Sequence, residues 1–514
     1  MSTGISFQFI RSVCRLTSLL AVLPTLALGA MTISKKPTKN VTCTATVCSA
    51  TSKKAVLNAK QLMQLLKKND VAIVPGSVAE SIVVDRALHW TSAHRLTLDA
   101  FSLIAINQPI VIEGTGALTL TTNDGGSGGD YSFGANGNVQ FLDTASGLTI
   151  NGTTFTLVAD LPTLIADITS AHGSGAYALA RSYDASADGT YSHAAILTSF
   201  AGIFEGLGNA VENLDINDPA TSSNAALFSV TTASGVLRDV SLANISVAGA
   251  ANTMAALVGV SNGAIKNIAV SGQVQSAAVS GDIGGIAAVL EGTMASSSST
   301  ASVQGGVGMG NLFVGGLVGE MFGGHAMLSR SFAAGTVLID MGGYAGGLVG
   351  GSEDSGDSIQ QCYATAQVTA GGTAELGGLV GLNHGPITET FAIGAVTAGN
   401  GSDVGGLIGE NHSTINQSYS IGSVSAGLHS FVGGLIGTDN TTLGSLSDTY
   451  WDTDTSGIGD LTKGAGNRKD DQGITGLTTA QLQSGLPAGF DPLVWNEAAN
   501  INGGLPYLLA LPGP

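Results

Sequence analysis

The sequence contains Val314-Gly315-Gly316-Leu317-Val318-Gly319, the first of five clear copies of a short motif in which two glycines precede a leucine. The first glycines of successive copies are 31, 31, 28 and 28 residues apart. Periods of about 20 to 50 residues are typical of solenoids. The repeated motif residues are Gly315, Gly316, Leu317, Gly346, Gly347, Leu348, Gly377, Gly378, Leu379, Gly405, Gly406, Leu407, Gly433, Gly434 and Leu435.

Two further patterns repeat in step with this motif. Weaker copies precede it at Ala225-Ala226-Leu227, Ala255-Ala256-Leu257 and Gly284-Gly285-Ile286. One such unit cannot bury its own apolar face, but stacked units can. The array therefore predicts an all-β fold, a right-handed parallel β-helix, in which equivalent residues of neighbouring coils lie about 4.8 Å apart. The repeated leucines should form an internal ladder, and a second ladder should contain Phe332, Tyr363, Phe391, Tyr419 and Tyr450.

The composition agrees with a repetitive β structure. Glycine accounts for 74 of 514 residues, with no period of three and only 12 prolines, which excludes collagen. Two explanations fit the paired glycines: either the chain turns a corner there with positive φ, or neighbouring layers approach too closely for a side chain. Charged residues make up only 11% of the chain, against about 25% in ordinary globular proteins, which disfavours an enzyme cleft lined with acids and bases.

The chain divides into six predicted segments. Residues 53–69 place leucines on one face at helical spacing, which predicts a helix that caps the open end of the solenoid. Shorter helices are expected after Asp160 and near Thr479 to Leu482. The segments are a signal peptide (1–29), a basic arm with the capping helix (30–80), irregular β-helix coils (81–160), a short helix and lead-in coil (161–222), the repeat β-helix (223–460) and a small C-terminal cap (461–514).

The N-terminus predicts export. Arg11 and Arg15 precede an apolar run that ends in Ala27-Leu28-Gly29, a pattern typical of a signal peptide. The run is too short to span a bilayer, so no transmembrane span is expected in the mature chain. We expect export through the inner membrane to the cell surface or extracellular space, with the periplasm as the alternative. Outside the cytosol Cys43 and Cys48 could pair as a disulfide or stay reduced. The net charge of −18 excludes nonspecific binding of nucleic acid.

These repeats resemble the GLUG-motif proteins, which occur among bacterial surface and secreted proteins of the filamentous-haemagglutinin type. The lead-in stretch Phe200 to Asn209 and the later stretches Tyr450 to Gly457 and Asn502 to Tyr507 are similar too. The resemblance implies a β-helix with an adhesin-like role and without a known catalytic site. The chain departs from the two-partner-secreted haemagglutinins because it has no Asn-Pro dipeptide. An outer-membrane transporter is therefore only a candidate partner.

Four residues are candidates for a metal site, each with a simpler alternative. His384 and His412 occupy equivalent repeat positions and could face each other on neighbouring coils, but without a third ligand they are expected to be exposed turn residues. Asp452 and Asp454 begin a pattern similar to a calcium loop, yet Lys463 stands where that loop has a glutamate. A structural turn is the favoured interpretation, and no cofactor is expected.

The favoured function is a non-catalytic, adhesin-like surface or extracellular protein that binds glycans or proteins of a host or neighbouring cell. The first alternative is a β-helical polysaccharide lyase or glycoside hydrolase, with the acidic turn Glu353, Asp354 and Asp357 as its candidate group. The second is a purely structural envelope or matrix protein. Lys266 and Arg330 are the only cations between Asp239 and Asp460, which leaves few residues for an active site.

Overall fold

A long stack of β-strand coils forms the body of the molecule. The computed structural model describes residues 29–122, 128–308 and 311–514. Residues 1–28, which carry most of the predicted signal peptide, lie outside the described residues. The chain forms a mostly β parallel solenoid of about 15 turns with few helices, so the predicted fold class is confirmed. Within the described residues all strand pairings are parallel except three hairpin-like pairs.

The N-terminal coils carry three sheets, in which β1 lies between β4 and β6 although it precedes both in the chain. Their strands are β1 (Ala30–Ser34), β2 (Val41–Cys43), β3 (Val47–Ala50), β4 (Lys54–Asn58), β5 (Val71–Val74), β6 (Ser81–Val84), β7 (Leu88–Trp90), β8 (Arg95–Asp99), β9 (Leu103–Ile106), β10 (Ile110–Ile112), β11 (Ala117–Thr121), β12 (Asp130–Phe133), β13 (Val139–Phe141), β14 (Gly147–Ile150) and β15 (Thr153–Val158). The lead-in strands are β16 (Ala176–Leu179), β17 (Tyr183–Asp184), β18 (Thr190–Tyr191), β19 (Ile203–Glu205), β20 (Ala210–Glu212) and β21 (Asp215–Asp218).

The repeat region stacks eight coils, and two eight-stranded sheets meet at the paired glycines. The sheet before the glycines contains β22 (Asn224–Ala225), β26 (Thr253–Ala255), β30 (Gly281–Gly284), β35 (Leu312–Gly315), β40 (Tyr344–Gly346), β44 (Glu375–Gly377), β48 (Asp403–Gly405) and β52 (Phe431–Gly433). The sheet after them contains β23 (Phe228–Thr231), β27 (Val258–Ser261), β31 (Ala287–Leu290), β36 (Val318–Met321), β41 (Val349–Ser352), β45 (Val380–Asn383), β49 (Ile408–Asn411) and β53 (Ile436–Asp439).

A third long sheet closes each coil. Its strands in the repeat region are β24 (Val236–Arg238), β25 (Ser241–Gly249), β28 (Ala264–Lys266), β29 (Ala269–Ser276), β32 (Thr293–Ala295), β33 (Ser298–Ser299), β34 (Ser302–Val307), β37 (Met327–Ser329), β38 (Phe332–Ala333), β39 (Thr336–Met341), β42 (Ser358–Ala364), β43 (Gln367–Ala370), β46 (Ile387–Ala392), β47 (Val396–Thr397), β50 (Ile415–Ser420), β51 (Val424–Ser425), β54 (Leu446–Asp452) and β55 (Ile474–Leu477). Strands β56 (Trp495–Asn496) and β57 (Tyr507–Leu508) follow. The helices are α1 (Ala59–Leu66), α2 (Gly76–Ala79), α3 (Leu161–Ser170) and α4 (Thr479–Leu482), with 3-10 turns at Ala185–Ala187 and Asn502–Gly504.

Both predicted ladders are present. The backbone N–H of Leu317 donates to the carbonyl of Leu348 at 2.9 Å, and this bond repeats along the array. The leucine side chains are fully buried inside the solenoid. The aromatic residues lie on the outer side of the third sheet, where the rings of Phe332, Tyr363 and Phe391 are 4.8 Å apart at each step. Residues one sequence period apart are therefore neighbours in adjacent coils.

The paired glycines serve close backbone approach rather than a positive-φ turn. None of the ten motif glycines has φ in the left-handed region. A Cβ atom on Gly346 would lie 1.9 Å from the carbonyl oxygen of Val349 in the same coil. A Cβ atom on Gly347 would lie 2.1 Å from the carbonyl oxygen of Gly378 in the next coil. The first glycine therefore permits the sharp corner, and the second permits the coils to stack.

The helix predicted over residues 53–69 is shorter than expected. It begins at Ala59, and residues 54–58 form strand β4 beside β1. In that strand Ala55 and Leu57 are buried while Lys54 is exposed, an alternation with period two. The side chain of Asn58 accepts hydrogen bonds from the backbone N–H groups of Lys60 and Gln61, which fixes the start of the helix. The segment predicted as a basic arm thus contributes strands to the solenoid.

The C-terminal segment covers the side of the solenoid rather than only its end. Residues 453–477 add a last partial coil, because β55 pairs with β54. The remaining tail runs back along the aromatic ladder: the hydroxyls of Tyr450, Tyr419 and Tyr363 donate to the carbonyls of Ala488, Pro506 and Pro512. An outer ladder of aromatic rings needs an apolar cover, and the tail supplies it with residues such as Trp495.

Candidate binding groove

The two sheets that meet at the paired glycines form a re-entrant corner, which we call the corner groove. Side chains on the outer faces of these sheets contact each other across the corner, with an offset of one coil. The ring of Phe313 lies over the backbone of Gly351, where a Cβ atom would be 2.4 Å from the ring. The hydroxyl of Thr438 donates to a carboxylate oxygen of Asp403 at 2.7 Å. These contacts show that the outer faces converge.

One ladder of outward-facing residues forms the first wall of the groove. In successive coils the register pairs Asp282 with Phe313, Phe313 with Tyr344, Tyr344 with Glu375, and Glu375 with Asp403. The opposite wall is the ladder Val289, Glu320, Gly351, Leu382, Glu410 and Thr438. The groove therefore alternates acidic and apolar sections along the axis of the solenoid.

The first acidic section contains Asp282 and Glu320, which interact across the corner. Burial is the main cause that raises the pKa of Asp282 to about 7, and the charge of Glu353 adds to it. Burial, followed by the charges of Asp282 and Glu353, raises the pKa of Glu320 to about 9. Because Glu320 keeps its proton to the higher pH, it acts as the hydrogen-bond donor of the pair at neutral pH.

The second acidic section contains Glu375, Asp403 and Glu410. Burial raises the pKa of Glu375 to about 7, and the charges of Asp403 and Glu410 contribute in the same direction. Burial and the charge of Glu410 also raise the pKa of Asp403, although Thr438 stabilises its ionised form. Two carboxyl groups in successive coils of one ladder repel each other when both are ionised, so part of this section stays protonated.

An aromatic stack separates the two acidic sections. The rings of Phe313 and Tyr344 are 5.0 Å apart and nearly parallel, with an angle of 11° between their planes. Burial raises the pKa of Tyr344, and the charges of Glu375, Glu410 and Glu353 raise it further. Leu382 extends the apolar surface beside this stack. Because the two rings face each other and Phe313 is only 5% exposed, the groove presents ring edges, mainly of Tyr344, between carboxyl groups that can donate and accept hydrogen bonds.

The structure places His384 and His412 on neighbouring coils, as the repeat predicts. Their ring centroids are 4.5 Å apart. The Nε2 atom of His412 lies 2.8 Å from a carboxylate oxygen of Glu410, and the ring of His384 is 3.0 Å from the carbonyl of Glu353. Among the described residues there is no group of three or more histidines, cysteines or acids with the geometry of a metal site.

The side chains of Asp452 and Asp454 are used to hold the tail. Asp452 accepts hydrogen bonds from the backbone N–H of Asp454 at 2.8 Å and from the hydroxyl of Thr479 at 2.6 Å. Asp454 accepts from the backbone N–H of Thr479 at 3.0 Å. Both carboxylates therefore bind the start of helix α4, as a structural turn would.

The acidic turn that sequence analysis singled out also stabilises backbone. Asp354 accepts a hydrogen bond from the backbone N–H of Gly323, and Asp357 accepts one from Ala326, both in the preceding coil. Glu353 is the member of this turn whose charge acts on the corner groove, since it raises the pKa of Glu320.

Sequence reasoning missed Asp282, Phe313, Tyr344 and Glu375. It compared residues at one repeat position after the motif, whereas the groove combines that position with the residue two places before the first glycine. Lining up this second position would have shown the order Asp, Phe, Tyr, Glu, Asp, Phe in six successive coils. This pattern is visible in the sequence. It points to a binding groove only once the two sheets are known to meet at a re-entrant corner.

Two other features bear on where the protein works. The Sγ atoms of Cys43 and Cys48 are bonded as a disulfide between strands β2 and β3. Cys362 is buried and reduced, and burial raises the pKa of its thiol to about 12. In the described part of the chain, every helix is too short or too polar to cross a membrane.

Comparisons with known proteins yield structural likenesses but no match in sequence. A scan against protein-family models finds no match, and a search of curated proteins finds none either. Among solved structures, the chain is similar to the crystal structure of a protein from Bacteroides ovatus described as a "putative immunoglobulin A1 protease". The TM-score is 0.41 and the sequence identity 18%, over 70% of this chain and 92% of the other. These comparisons assign no family to the chain.

Proposed function

We propose that the protein is an exported, non-catalytic, adhesin-like surface or extracellular protein that binds a glycan chain in the corner groove. The observation that carries this proposal is the Phe313–Tyr344 stack between two sections of carboxyl groups. Each coil advances about 4.8 Å along the axis. An extended ligand lying along the solenoid would therefore contact the first acidic section, the aromatic stack and the second acidic section in turn. The apolar ring edges of this stack can contact the apolar face of a sugar ring.

The charge of the groove selects among glycans. The ionised part of the second acidic section repels acidic sugars, and its carboxyl oxygens accept hydrogen bonds from hydroxyl and amino groups. The protonated carboxyl of Glu320 donates to Asp282, so it offers a ligand its remaining acceptor sites. Neutral or amino sugars on a host or neighbouring cell are therefore the expected ligands, and a basic protein segment is the competing one.

A glycan array with the purified mature protein tests the proposal. We expect binding to neutral or amino-sugar chains and little binding to uronate-rich chains. The variant Phe313→Ala should weaken binding at least about tenfold, because it removes the ring that packs against Tyr344 and holds it in place. The matched control is Tyr191→Ala, which removes a half-buried tyrosine on β18 outside the groove. Equal loss in both variants, or no glycan bound, would argue against the groove.

Export and surface location are supported by the signal-like sequence before residue 30 and by the disulfide, because disulfides persist mainly outside the cytosol. The resemblance to GLUG repeats agrees with an adhesin-like role, and an outer-membrane transporter remains the proposed route to the surface. A deletion strain should attach less to surfaces or to neighbouring cells, and the wild-type gene should restore attachment while the Phe313→Ala gene should not. Unchanged attachment in the deletion strain would refute the adhesin-like role.

A second candidate function is glycoside hydrolysis in the same groove. The observation that favours it is the pair Asp282 and Glu320, two neighbouring carboxyl groups whose pKa values are raised to about 7 and about 9. Glycosidases use a protonated acid and a second carboxyl group about 5 to 9.5 Å apart, so the hydrogen bond between Asp282 and Glu320 would have to open to admit a glycosidic bond between them. Neutral glycans that bind should be incubated with wild type and with Glu320→Gln. Release of shorter chains by wild type alone would establish hydrolysis, and intact chains with both would leave the binding role.

A further inference from the structure

A cavity of about 350 Å³ lies on the side of the solenoid, away from the corner groove. We call it the side cleft. Its floor is the third sheet of the repeat region, including Lys266, Ser298 and Arg330. Its walls come from the loop after β12, which begins at Gly134, and from the end of the tail at Leu511. Three parts of the chain that are distant in sequence therefore surround one space of the size of typical ligand sites.

The cleft exists because the aromatic ladder stops there. The register pairs Phe332 with Ser298 and Ser298 with Ala269 in the two preceding coils. Small residues thus replace the aromatic ring in two coils, while the tail that covers the ladder reaches this point with Leu511 beside the cavity. The missing ring volume leaves a space with an apolar wall at Phe332 and hydroxyl groups beside it.

The only two cations between residues 239 and 460 both line the cleft. Lys266 forms an ion pair with Asp130. Arg330 is exposed, and within the described part of the chain its guanidinium has neither an ion-pair nor a hydrogen-bond partner. The lining also includes Asp130 and Asp239, which form ion pairs with Lys266 and Arg238, so Arg330 is the cation of the cleft without a paired carboxylate among the described residues.

A repeated backbone feature turns side chains into the cleft. Asp239, Asn267, Ser296 and Arg330 occupy equivalent positions in four successive coils, and each has a φ between 46° and 57°. All four line the cavity. One coil thus presents an arginine, its neighbour a serine and the next an asparagine, so a cation and neutral hydrogen-bonding groups are aligned about 4.8 Å apart.

Lys266 belongs to a network of ion pairs that also includes Arg238. Arg238, one coil before Lys266, lies over the ring of Tyr131 at 4.1 Å and forms ion pairs with Glu205 and Asp130. These charges are already paired, so Arg238 is not available to a ligand. Asp239 is a further partner of Arg238, and Asp130 also pairs with Lys266, so the charge of Lys266 is balanced within this network.

We propose that the side cleft binds a carboxylated sugar, a hexuronate unit, with its carboxylate at Arg330 and its ring against Phe332. Hydrogen bonds between a carboxylate and a guanidinium are among the stronger ones in proteins. The serine hydroxyls at positions 296 and 298 match the ring hydroxyls of such a sugar. This site is separate from the corner groove, whose carboxylates would repel the same ligand.

Ligand-observed NMR with the full mature chain tests the proposal. We expect D-glucuronate to bind at millimolar concentration, glucose at least about tenfold more weakly, and acetate also more weakly. Arg330→Gln should weaken glucuronate binding at least about tenfold, and Arg330→Lys should retain part of it. The matched control is Arg86→Gln, an exposed cation outside the cleft, which should bind as wild type does.

Each remaining outcome contradicts the proposal. No glucuronate binding, or equal binding by Arg330→Gln, would remove the site. Equal binding of glucose would remove the role of the carboxylate, and equal binding of acetate would reduce the cleft to a simple anion site. Phe313→Ala, a groove variant, should leave glucuronate binding unchanged. Failure of the groove and failure of the cleft can therefore be told apart.

Discussion

Glu320→Gln should remove a pH dependence of stability that the corner groove imposes. Burial and the charges of Asp282 and Glu353 raise the pKa of Glu320 from 4.5 to about 9 in the folded state. From about pH 5 to 8 the folded chain thus holds a proton at Glu320 that the unfolded chain has lost. The stability present below the unfolded pKa is then lost progressively as the pH rises towards the folded pKa.

The magnitude follows from the number of protons. One proton bound only in the folded state changes the free energy of unfolding by about 1.4 kcal/mol per pH unit. Because Glu320 is only partly buried, solvent screening lowers its folded-state pKa and shortens the range of the full slope to about half of the three pH units from 5 to 8. Over three pH units the wild type should lose about 2 kcal/mol relative to Glu320→Gln, which stays neutral and keeps an amide donor towards Asp282.

Urea unfolding at a series of pH values measures this difference. Glu212→Gln is the matched control, since Glu212 is an exposed carboxyl group on β20 outside the groove, and its curve should run parallel to that of the wild type. If the curve of Glu320→Gln also runs parallel to the wild type from pH 5 to 8, Glu320 is not protonated in the folded protein. The donor role assigned to it in the groove would then be wrong.

Three further predictions concern the fold. Gly347→Ala should lower the free energy of unfolding by about 1–3 kcal/mol, because its Cβ atom would meet a carbonyl of the next coil, whereas Gly459→Ala, with no atom within 4 Å of the new Cβ, should leave the melting temperature unchanged. Tyr419→Phe should let a protease cleave the tail faster, because the tyrosine hydroxyl donates to the tail and accepts from Asn502; an unchanged cleavage rate would show that the tail is held elsewhere. Reduction of the Cys43–Cys48 disulfide should lower the free energy of unfolding by about 2 kcal/mol in urea, and equal midpoints with and without reductant would contradict this.

The sequence predicted the internal order of the solenoid because stacking turns a period into a set of neighbours. Leu317 and Leu348 are 31 residues apart, and their coils are hydrogen-bonded. The glycine pairs were recognised as special, but whether they served a positive φ or a close approach depended on the path of the corner. Only the distance from Gly347 to the next coil decides between the two.

The contacts in the corner groove and the position of the tail could not be predicted from the sequence, for a different reason. Asp282 and Glu320 are 38 positions apart, which is not a repeat spacing, because the contact joins different strands of adjacent coils. The apolar tail residues must be buried against an apolar surface. From the sequence alone, either the end of the solenoid or its side could provide that surface. The outer aromatic ladder at Tyr363 and Tyr419 favoured the side, since its rings would otherwise face water.

The scarcity of charge in the repeats has a physical origin that bears on function. In a stacked array each residue lies about 4.8 Å from its equivalents in the next coils, and like charges placed directly opposite each other destabilise a sheet. A charged residue therefore cannot be part of the repeated pattern, and those that remain must be separated, paired or protonated. Glu375 and Asp403 violate this rule because they are direct neighbours in one ladder, with no cation beside them and with both pKa values raised. Lys266 and Arg330 are the other departure, since both cations line one cleft. At the Glu375–Asp403 pair and at the cleft, the chain is less stable than a regular repeat would make it. Binding sites are expected at such departures from the regular pattern.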